Sequence, residues 1–406
     1  MNKLYFVLIC CILTYCISPQ NNKITQSAIS VEIPVIDVEK AVASAKDFYM
    51  LSDIAERIEY IPLEFTPECA IGNRIWQVYI TTEDIFIMTG VIYRFDKNGK
   101  FKNVIGKVGK GPGEFLNALA FAVDTVKQHI YVNCNWIPDI IIYDYDGHHV
   151  RTIKKGYTHS TEFYFFPETN HLVHIGIPID FSNPVSFFVS VTDTENNRIL
   201  HKKYLLSYMQ PSNHGVSGHY GSLQRHNRLL ISESMNDTIF AYSNGILSPY
   251  LILNYGKYKS NLKDEIAFAH GVKGAIDRYI NAPYIVEETD QFLFLYFFQG
   301  IEKRYLLKYD KYSQEYATFK VKREEKNPIE IIYNDIDGGL PIIWRTVPRY
   351  NQLARIIHAY DMKEILTSDF LSKSEAKDQQ AKERLKNLVK SLEDEDNPVI
   401  MKVILK

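Results

Sequence analysis

The stretch Gly106-Lys107-Val108-Gly109-Lys110-Gly111-Pro112-Gly113-Glu114-Phe115 sets four glycines beside two lysines, a composition that suggests a phosphate cradle. A P-loop needs Gly, four residues, Gly, then Lys and Ser or Thr. Gly106 and Gly111 have that spacing, but Pro112 stands where the lysine belongs. A dinucleotide fingerprint also fails, because the third glycine spacing is wrong and no amphipathic helix follows to aim its N-terminus at a phosphate. The stretch is therefore read as a crossing between strands. Gly109, Gly111 and Gly113 would permit unusual φ there, and Pro112 would stiffen the turn. Lys107, Lys110 and Glu114 stay candidates for ligand contact, should the loop border a channel mouth.

Asp335-Ile336-Asp337-Gly338 places carboxylates on alternate positions, as calcium loops do. An EF-hand would end on a bidentate Glu at the twelfth position, which is Thr346 here, so that motif is excluded. The run reads as a turn before a strand at Pro341, with calcium the one cofactor the pattern leaves open. Trp344 and Arg345 offer an aromatic face and a cation to a binding mouth. The 12 histidines give no metal set. His148 and His149 point to opposite faces of a strand, as do His171 and His174, while His214, His219 and His226 lie around a Gly/Ser-rich loop. No G-x-S-x-G elbow occurs, so no catalytic residues and no metal ligands are assigned.

The elements that must position these residues repeat. A turn followed by an apolar strand begins at Ile85, Ile130, Leu172, Leu229, Phe292 and Leu353, five steps with a mean of about 54 residues. Asn98-Gly99, Asp146-Gly147 and Asn244-Gly245 supply hairpin turns inside the copies. With 28 Tyr and 22 Phe, the composition favours strands. Six copies predict an all-β chain, a six-bladed β-propeller with four-stranded antiparallel blades. A helical insertion is expected near 259–280 and a helix near 370–393, ahead of a closing strand at Val399–Leu405. Ile58–Glu64 alternates like a strand. The sixth copy lacks strands of its own, so both chain ends are expected to complete the last blade and close the ring.

The start of the chain gives an address. Lys3 precedes twelve largely apolar residues, Leu4–Tyr15, a length suited to a secretory signal and short for a span. Leu13-Thr14-Tyr15-Cys16 resembles a lipobox, with Tyr15 where a small residue is usual, and Cys16 is the lipidation candidate. Residues 1–16 are read as signal, 17–52 as tether and N-terminal segment, and 53–406 as the propeller. Cys69 and Cys134, beyond the signal, are expected to be buried free thiols. A net charge of -2 without a dominant basic stretch argues against nucleic acid.

Together, IEYIPLE (Ile58–Glu64), the GKVGKGPGEF loop, Asn334-Asp335-Ile336-Asp337-Gly338-Gly339 with Trp344, and Asp396-Asn397-Pro398 before the last strand resemble the NHL-like six-bladed β-propellers of Gram-negative, Bacteroidetes-type envelope lipoproteins. The resemblance runs from Ile58 to Lys406. It implies fold and location, an outer-membrane or periplasmic lipoprotein or a soluble exported protein, and brings no reaction with it. Two functions are carried forward. One is a non-enzymatic, monomeric recognition protein binding a protein, glycan or small ligand. The other is a metal-dependent lyase or hydrolase with His, Asp or Glu converging in the central channel.

Overall fold

Hairpins in this chain turn on glycines that adopt a left-handed backbone. Gly99 has φ +85° and Gly147 +87°, each closing a tight turn between antiparallel strands, and Asn244-Gly245 does the same with φ of +50° and +82°. The computed structural model describes residues 32–406 except 48–49, 73, 117, 135–138, 155–161, 177–187, 196–198, 205–219, 234–235, 262, 265–266, 268–270, 281–282, 301, 325–326, 344–348 and 351. Cys16, Trp344 and Arg345 lie outside the described residues.

Six of the sheets form the blades, and a small seventh, of Lys322–Glu324, Asn327–Ile332 and Ile342–Ile343, follows blade 5 in the chain. Blade 1 holds Gln77–Ile80, Asp84–Met88, Ile92–Asp96 and Phe101–Ile105. Blade 2 holds Ala118–Asp124, His129–Cys134, Asp139–Asp144 and His149–Lys154. Blade 3 holds Glu162–Phe166, His171–Gly176, Phe188–Asp193 and Ile199–Tyr204. Blade 4 holds Tyr220–Arg225, Arg228–Glu233, Thr238–Ser243 and Ile246–Asn254. Blade 5 holds Tyr284–Glu288, Phe292–Gln299, Lys303–Asp310 and Tyr316–Lys320. The turn-and-strand repeat of the sequence is thus the second strand of each blade.

Blade 6 is assembled from distant segments. Val399–Leu405 runs antiparallel to both Ala354–Ile357 and Ala55–Pro62, with Met401 opposite Arg355 on one side and Tyr60 on the other. Both chain ends therefore complete the ring. The sixth copy does supply one strand, Ala354–Ile357, and the described residues give this blade three strands in place of four. Arg349–Tyr350 adds in parallel to the first strand of blade 1, with Arg349 opposite Gln77, a further tie across the closure.

Residues ahead of the propeller strands lie on its rim. Val35–Asp37 pairs in parallel with Ile252–Asn254 of blade 4, and Lys46–Asp47 with Phe319–Lys320 of blade 5. Helix α1 (Val38–Ala43) joins them, its N-terminus capped by Asp37 Oδ1 accepting from Lys40 N at 3.0 Å. Between blades 4 and 5 a 3-10 turn at Gly256–Tyr258 leads into the insertion near 259–280, which has helical residues at Lys263, Asp264 and Ala267. Before the closing strand come α2 (Ala359–Ile365), α3 (Ser368–Lys373) and α4 (Gln379–Ser391). Met362, Leu371 and Leu385 on these helices share a core with Val399 and Met401.

Each blade buries both faces against its neighbours. Phe86 of blade 1 meets Phe121 and Tyr145 of blade 2, Tyr131 of blade 2 stacks on Phe165 of blade 3 at 5.1 Å, and Phe166 of blade 3 meets Tyr242 of blade 4 at 4.7 Å. Arginines reinforce these contacts. Arg94 of blade 1 donates to Tyr145 O, and Arg151 of blade 2 to Thr194 O and Glu195 O of blade 3. Arg225 of blade 4 donates to Glu288 O of blade 5.

The two ends of the strands differ. At one end no connection within blades 1–5 is longer than 194–198 or 311–315. The strands at the other end are joined across 106–117 and 255–283.

Candidate functional site

The glycine-rich loop links the outer strand of blade 1 to the inner strand of blade 2, and Phe115 at its end is the side chain it buries. Glu114 Oε2 accepts from Gly111 N at 2.9 Å, while Glu114 Oε1 pairs with Lys107 Nζ at 3.0 Å. The Gly111 N–H and the Lys107 ammonium hold the Glu114 carboxyl below its usual range. Gly109 N donates to Phe115 O and Phe115 N to Lys107 O, closing the loop on itself. Of the three candidates, Lys107 and Glu114 are spent on each other, and Lys110 is exposed. Left-handed backbone falls at Gly106 (φ +85°) and Gly113 (φ +72°), and Gly109 and Gly111 do not adopt it, contrary to expectation. The packed ring of Phe115 sets the bend at Gly106.

The acidic turn is also built into the frame. Asp335 Oδ1 accepts from Ser52 N at 2.9 Å and Oδ2 from Lys377 Nζ at 2.8 Å. Partial burial works to raise this carboxyl, but Lys377 and Ser52 bring it below the usual range. Asp337 is buried and points elsewhere. Its Oδ1 accepts from Asn334 Nδ2 at 2.6 Å and from Gly339 N at 2.8 Å, and burial raises its pKa. The two carboxylates thus serve separate partners.

The other motifs are latches as well. Asn397 Nδ2 donates to Glu64 O at 2.6 Å and Cys69 O at 2.8 Å, and its Oδ1 accepts from Ile71 N at 2.8 Å. Glu64 N donates to Gly99 O and Glu64 Oε2 accepts from Phe101 N, both at 2.8 Å, joining blade 6 to blade 1. Cys69 and Cys134 are buried free thiols. Among the described residues no group of three His, Cys, Asp or Glu side chains converges as metal ligands.

A polar cluster that the sequence did not reveal lies between blades 3 and 4. Glu162 and Tyr164 stand two apart on the innermost strand of blade 3, so both face blade 4. Glu162 Oε2 accepts from Ser222 Oγ on the innermost strand of blade 4 and from Tyr164 Oη at 2.9 Å, and Tyr164 Oη lies 2.7 Å from Ser222 Oγ. All three side chains are half-buried. The same interface is sealed by an apolar floor of Phe166, Val173, Leu229, Ile231 and Tyr242. Register places one more group here. Ser222 sits opposite Ile231, and Glu233 follows two residues on, directed to the same face. Glu233 is 2 % exposed. Its Oε2 accepts from Asn236 Nδ2 at 3.3 Å, and its Oε1 is buried with no partner. Burial pushes this carboxyl up to about 8.

This cluster is the end of a strand interface where the apolar pattern stops. Its members come from 162–164, 222 and 233, and no local motif joins them, since Glu162 and Ser222 are 60 residues apart. The alternation of Glu162 and Tyr164 was the one visible signal. A charged cluster lies at the short-turn end of blades 4 and 5, where Glu288 is ion-paired with Arg228 and with Lys311 at 3.1 Å.

A single family model spans these blades and the rim strap, matching residues 33–403 as the domain of unknown function DUF4934. The chain belongs to the DUF4934 family. Its propeller is similar to the Bacteroides fragilis protein BF0058, named as an exported protein, with 16% sequence identity and a TM-score of 0.65. That likeness covers 89% of this chain and 98% of BF0058. A DUF4221 member from Bacteroides vulgatus is similar at 12% identity and a TM-score of 0.42, over 69% of this chain and 92% of the other. At these identities the likeness concerns the fold alone. No curated protein matches this DUF4934 chain in sequence. Among its described residues no helix is long and apolar enough to cross a membrane.

Proposed function

We propose that this DUF4934 propeller is an exported, NHL-like binding protein of the cell envelope, tethered through a lipid on Cys16, that recognises its ligand between blades 3 and 4. The observation that carries the reading is the half-buried Glu162–Tyr164–Ser222 cluster above an apolar floor. Concave sites with a few convergent polar groups on a mostly apolar wall are where proteins hold small ligands. The fold supplies rigidity, since each inner strand is fixed by the blade behind it and by the neighbouring blades. The signal-like start, Lys3 with Leu4–Tyr15, supports the address.

Two arms test the reading. Purified protein lacking the first 16 residues is screened by thermal shift against glycan and small-molecule panels, in the original form and as Ser222→Ala. A saturable rise in melting temperature that Ser222→Ala abolishes is the expected result. Hits unaffected by this change would move the site elsewhere. Fractionation of cells expressing the full chain and Cys16→Ala tests the address: the protein should leave the membrane pellet in the variant.

A further inference from the structure

We propose that the Asn244-Gly245 turn of blade 4 is a site of spontaneous backbone modification, where Asn244 loses its side-chain amide and becomes aspartate or isoaspartate. This is separate from the binding role proposed above and does not rest on it.

The chemistry is contained in the pair itself. The Gly245 backbone nitrogen attacks Cγ of Asn244, a C–N bond forms, and the side-chain nitrogen leaves as ammonia with the proton that glycine gave up. A five-membered imide remains. Water then adds to one of its two carbonyls. Breaking the new bond at Cγ gives aspartate, while breaking the bond at the main-chain carbonyl carbon runs the backbone through Cβ and gives isoaspartate. Water is the only co-reactant, and nothing is oxidised or reduced. Glycine favours the attack because it has no Cβ to crowd the nitrogen and gives the backbone the most freedom. The fold must leave the glycine N–H without an acceptor and the turn free to rotate.

Three hairpin turns carry an Asn-Gly or Asp-Gly pair, and the structure separates them. In blade 1, Gly99 N donates to Asp96 O at 3.0 Å, and Asp96 Oδ1 accepts from Asn98 N at 2.8 Å and Lys100 N at 2.9 Å. A Cβ built on Gly99 would clash with Pro62 O, so this turn is also wedged against blade 6. Blade 2 repeats the clamp. Gly147 N donates to Asp144 O at 3.1 Å, Asp144 Oδ1 accepts from Asp146 N and His148 N, and Val104 O lies 2.7 Å from a Cβ built on Gly147. In blade 4 the clamping aspartate is absent, because Tyr242 stands three residues before Gly245. Among the described residues nothing accepts from Gly245 N, and Asn244 is exposed. The nearest atom to a Cβ built on Gly245 is His171 Cε1, at an ordinary contact distance of 3.8 Å. The reaction that blades 1 and 2 hold in check is thus open in blade 4. Isoaspartate adds a carbon to a two-residue turn whose length sets the pairing of Ser243 with Ile246.

The test uses the folded chain from residue 17 onward, held at pH 8 and 37 °C and sampled over weeks. Peptide mapping by mass spectrometry reads the amide-to-acid mass gain at each asparagine, and electron-transfer fragmentation tells isoaspartate from aspartate. A parallel sample is kept unfolded in guanidinium chloride, where both Asn-Gly pairs lose their surroundings. In the folded chain we expect Asn244 to convert about tenfold faster than Asn98 or more, because Asn98 reacts only after its clamp opens. The two rates should converge in the unfolded sample. A folded chain in which Asn98 converts as fast as Asn244 would overturn the proposal. So would a folded chain in which Asn244 stays intact, whatever the unfolded sample shows.

Discussion

A Cβ built on Gly106 would stand 2.4 Å from Cε1 of the Phe115 ring. Phe115 is fully buried, and Gly106 has φ +85°, so both space and backbone exclude a side chain there. At Gly111 the nearest atom to a built Cβ is Glu114 Oε2 at 3.0 Å, the end of a side chain that can shift, and the backbone is not left-handed. Gly106→Ala should therefore lower stability by about 2–4 kcal/mol, and Gly111→Ala by about 1 kcal/mol or less. Chemical denaturation of both variants checks this order. Equal losses would show that the bend does not depend on Phe115.

Glu233 gives a pH dependence with a definite sign. Burial pushes its carboxyl up to about 8, from an ordinary value of 4.5. Between those values the folded state keeps a proton that the unfolded chain has lost. Stability from this group is fully present below about pH 4.5 and is lost as pH rises through 8, by roughly 1.4 kcal/mol per pH unit in mid-range. Glu287, raised to about 7 by burial, acts in the same sense. Urea unfolding at pH 5, 6, 7 and 8 should show Glu233→Gln gaining stability relative to the original chain as pH rises. A difference that stays constant across the series would refute the assignment.

The architecture was legible because a propeller writes itself locally. Each second strand follows a turn, and the Asn-Gly or Asp-Gly pairs inside the copies permit the positive φ that a tight hairpin turn uses. The closing strand could be placed because Val399–Leu405 has no neighbour in sequence to pair with. What escaped was contact between blades. Nothing around Val35 or Lys46 signals that they pair in parallel with Ile252 and Phe319, because those edges come from strands far along the chain. The same holds for the site. The motifs that stand out, GKVGKGPGEF, NDIDGG and DNP, do so because backbone geometry restricts their residues. They serve the frame, while Glu162, Ser222 and Glu233 meet only after the ring forms.

Asn397 illustrates how tightly that frame is specified. Its side-chain amide donates to Glu64 O and Cys69 O, and its oxygen accepts from Ile71 N. Only a carboxamide offers two N–H donors and an acceptor at this length. Asn397→Ala leaves these buried groups without it and should cost about 2–4 kcal/mol. Asn397→Asp keeps the acceptor but loses both donors, and brings a carboxylate against two carbonyl oxygens. It should be at least as damaging at pH 7. Thermal unfolding of the two variants is the check, and an aspartate variant as stable as the original chain would sink the account.

Arg94 carries the last prediction, on what holds neighbouring blades together. Its Nε donates to Asp84 Oδ1 at 2.8 Å within blade 1, while Nη1 reaches Tyr145 O of blade 2 at 3.0 Å. The guanidinium also lies over the Tyr145 ring, 4.9 Å from its centroid. One planar group thus serves a carboxylate, a carbonyl and an aromatic face at once, which an ammonium cannot do. Asp84 is nearly buried, at 8 % side-chain exposure, and its other cation is Lys102 at 3.3 Å. Removing Arg94 leaves that carboxylate poorly paired and the carbonyl of Tyr145 with fewer donors. Arg94→Ala should cost about 2–4 kcal/mol, and Arg94→Lys an intermediate amount. The cross-blade share is isolated by a double-mutant cycle with Tyr145→Leu, which removes the ring but keeps the carbonyl. Coupling of about 0.5–1 kcal/mol is expected for the cation–π contact. If Arg94→Ala changes stability by less than about 0.5 kcal/mol, the blades are held by apolar packing alone and the arginine is incidental.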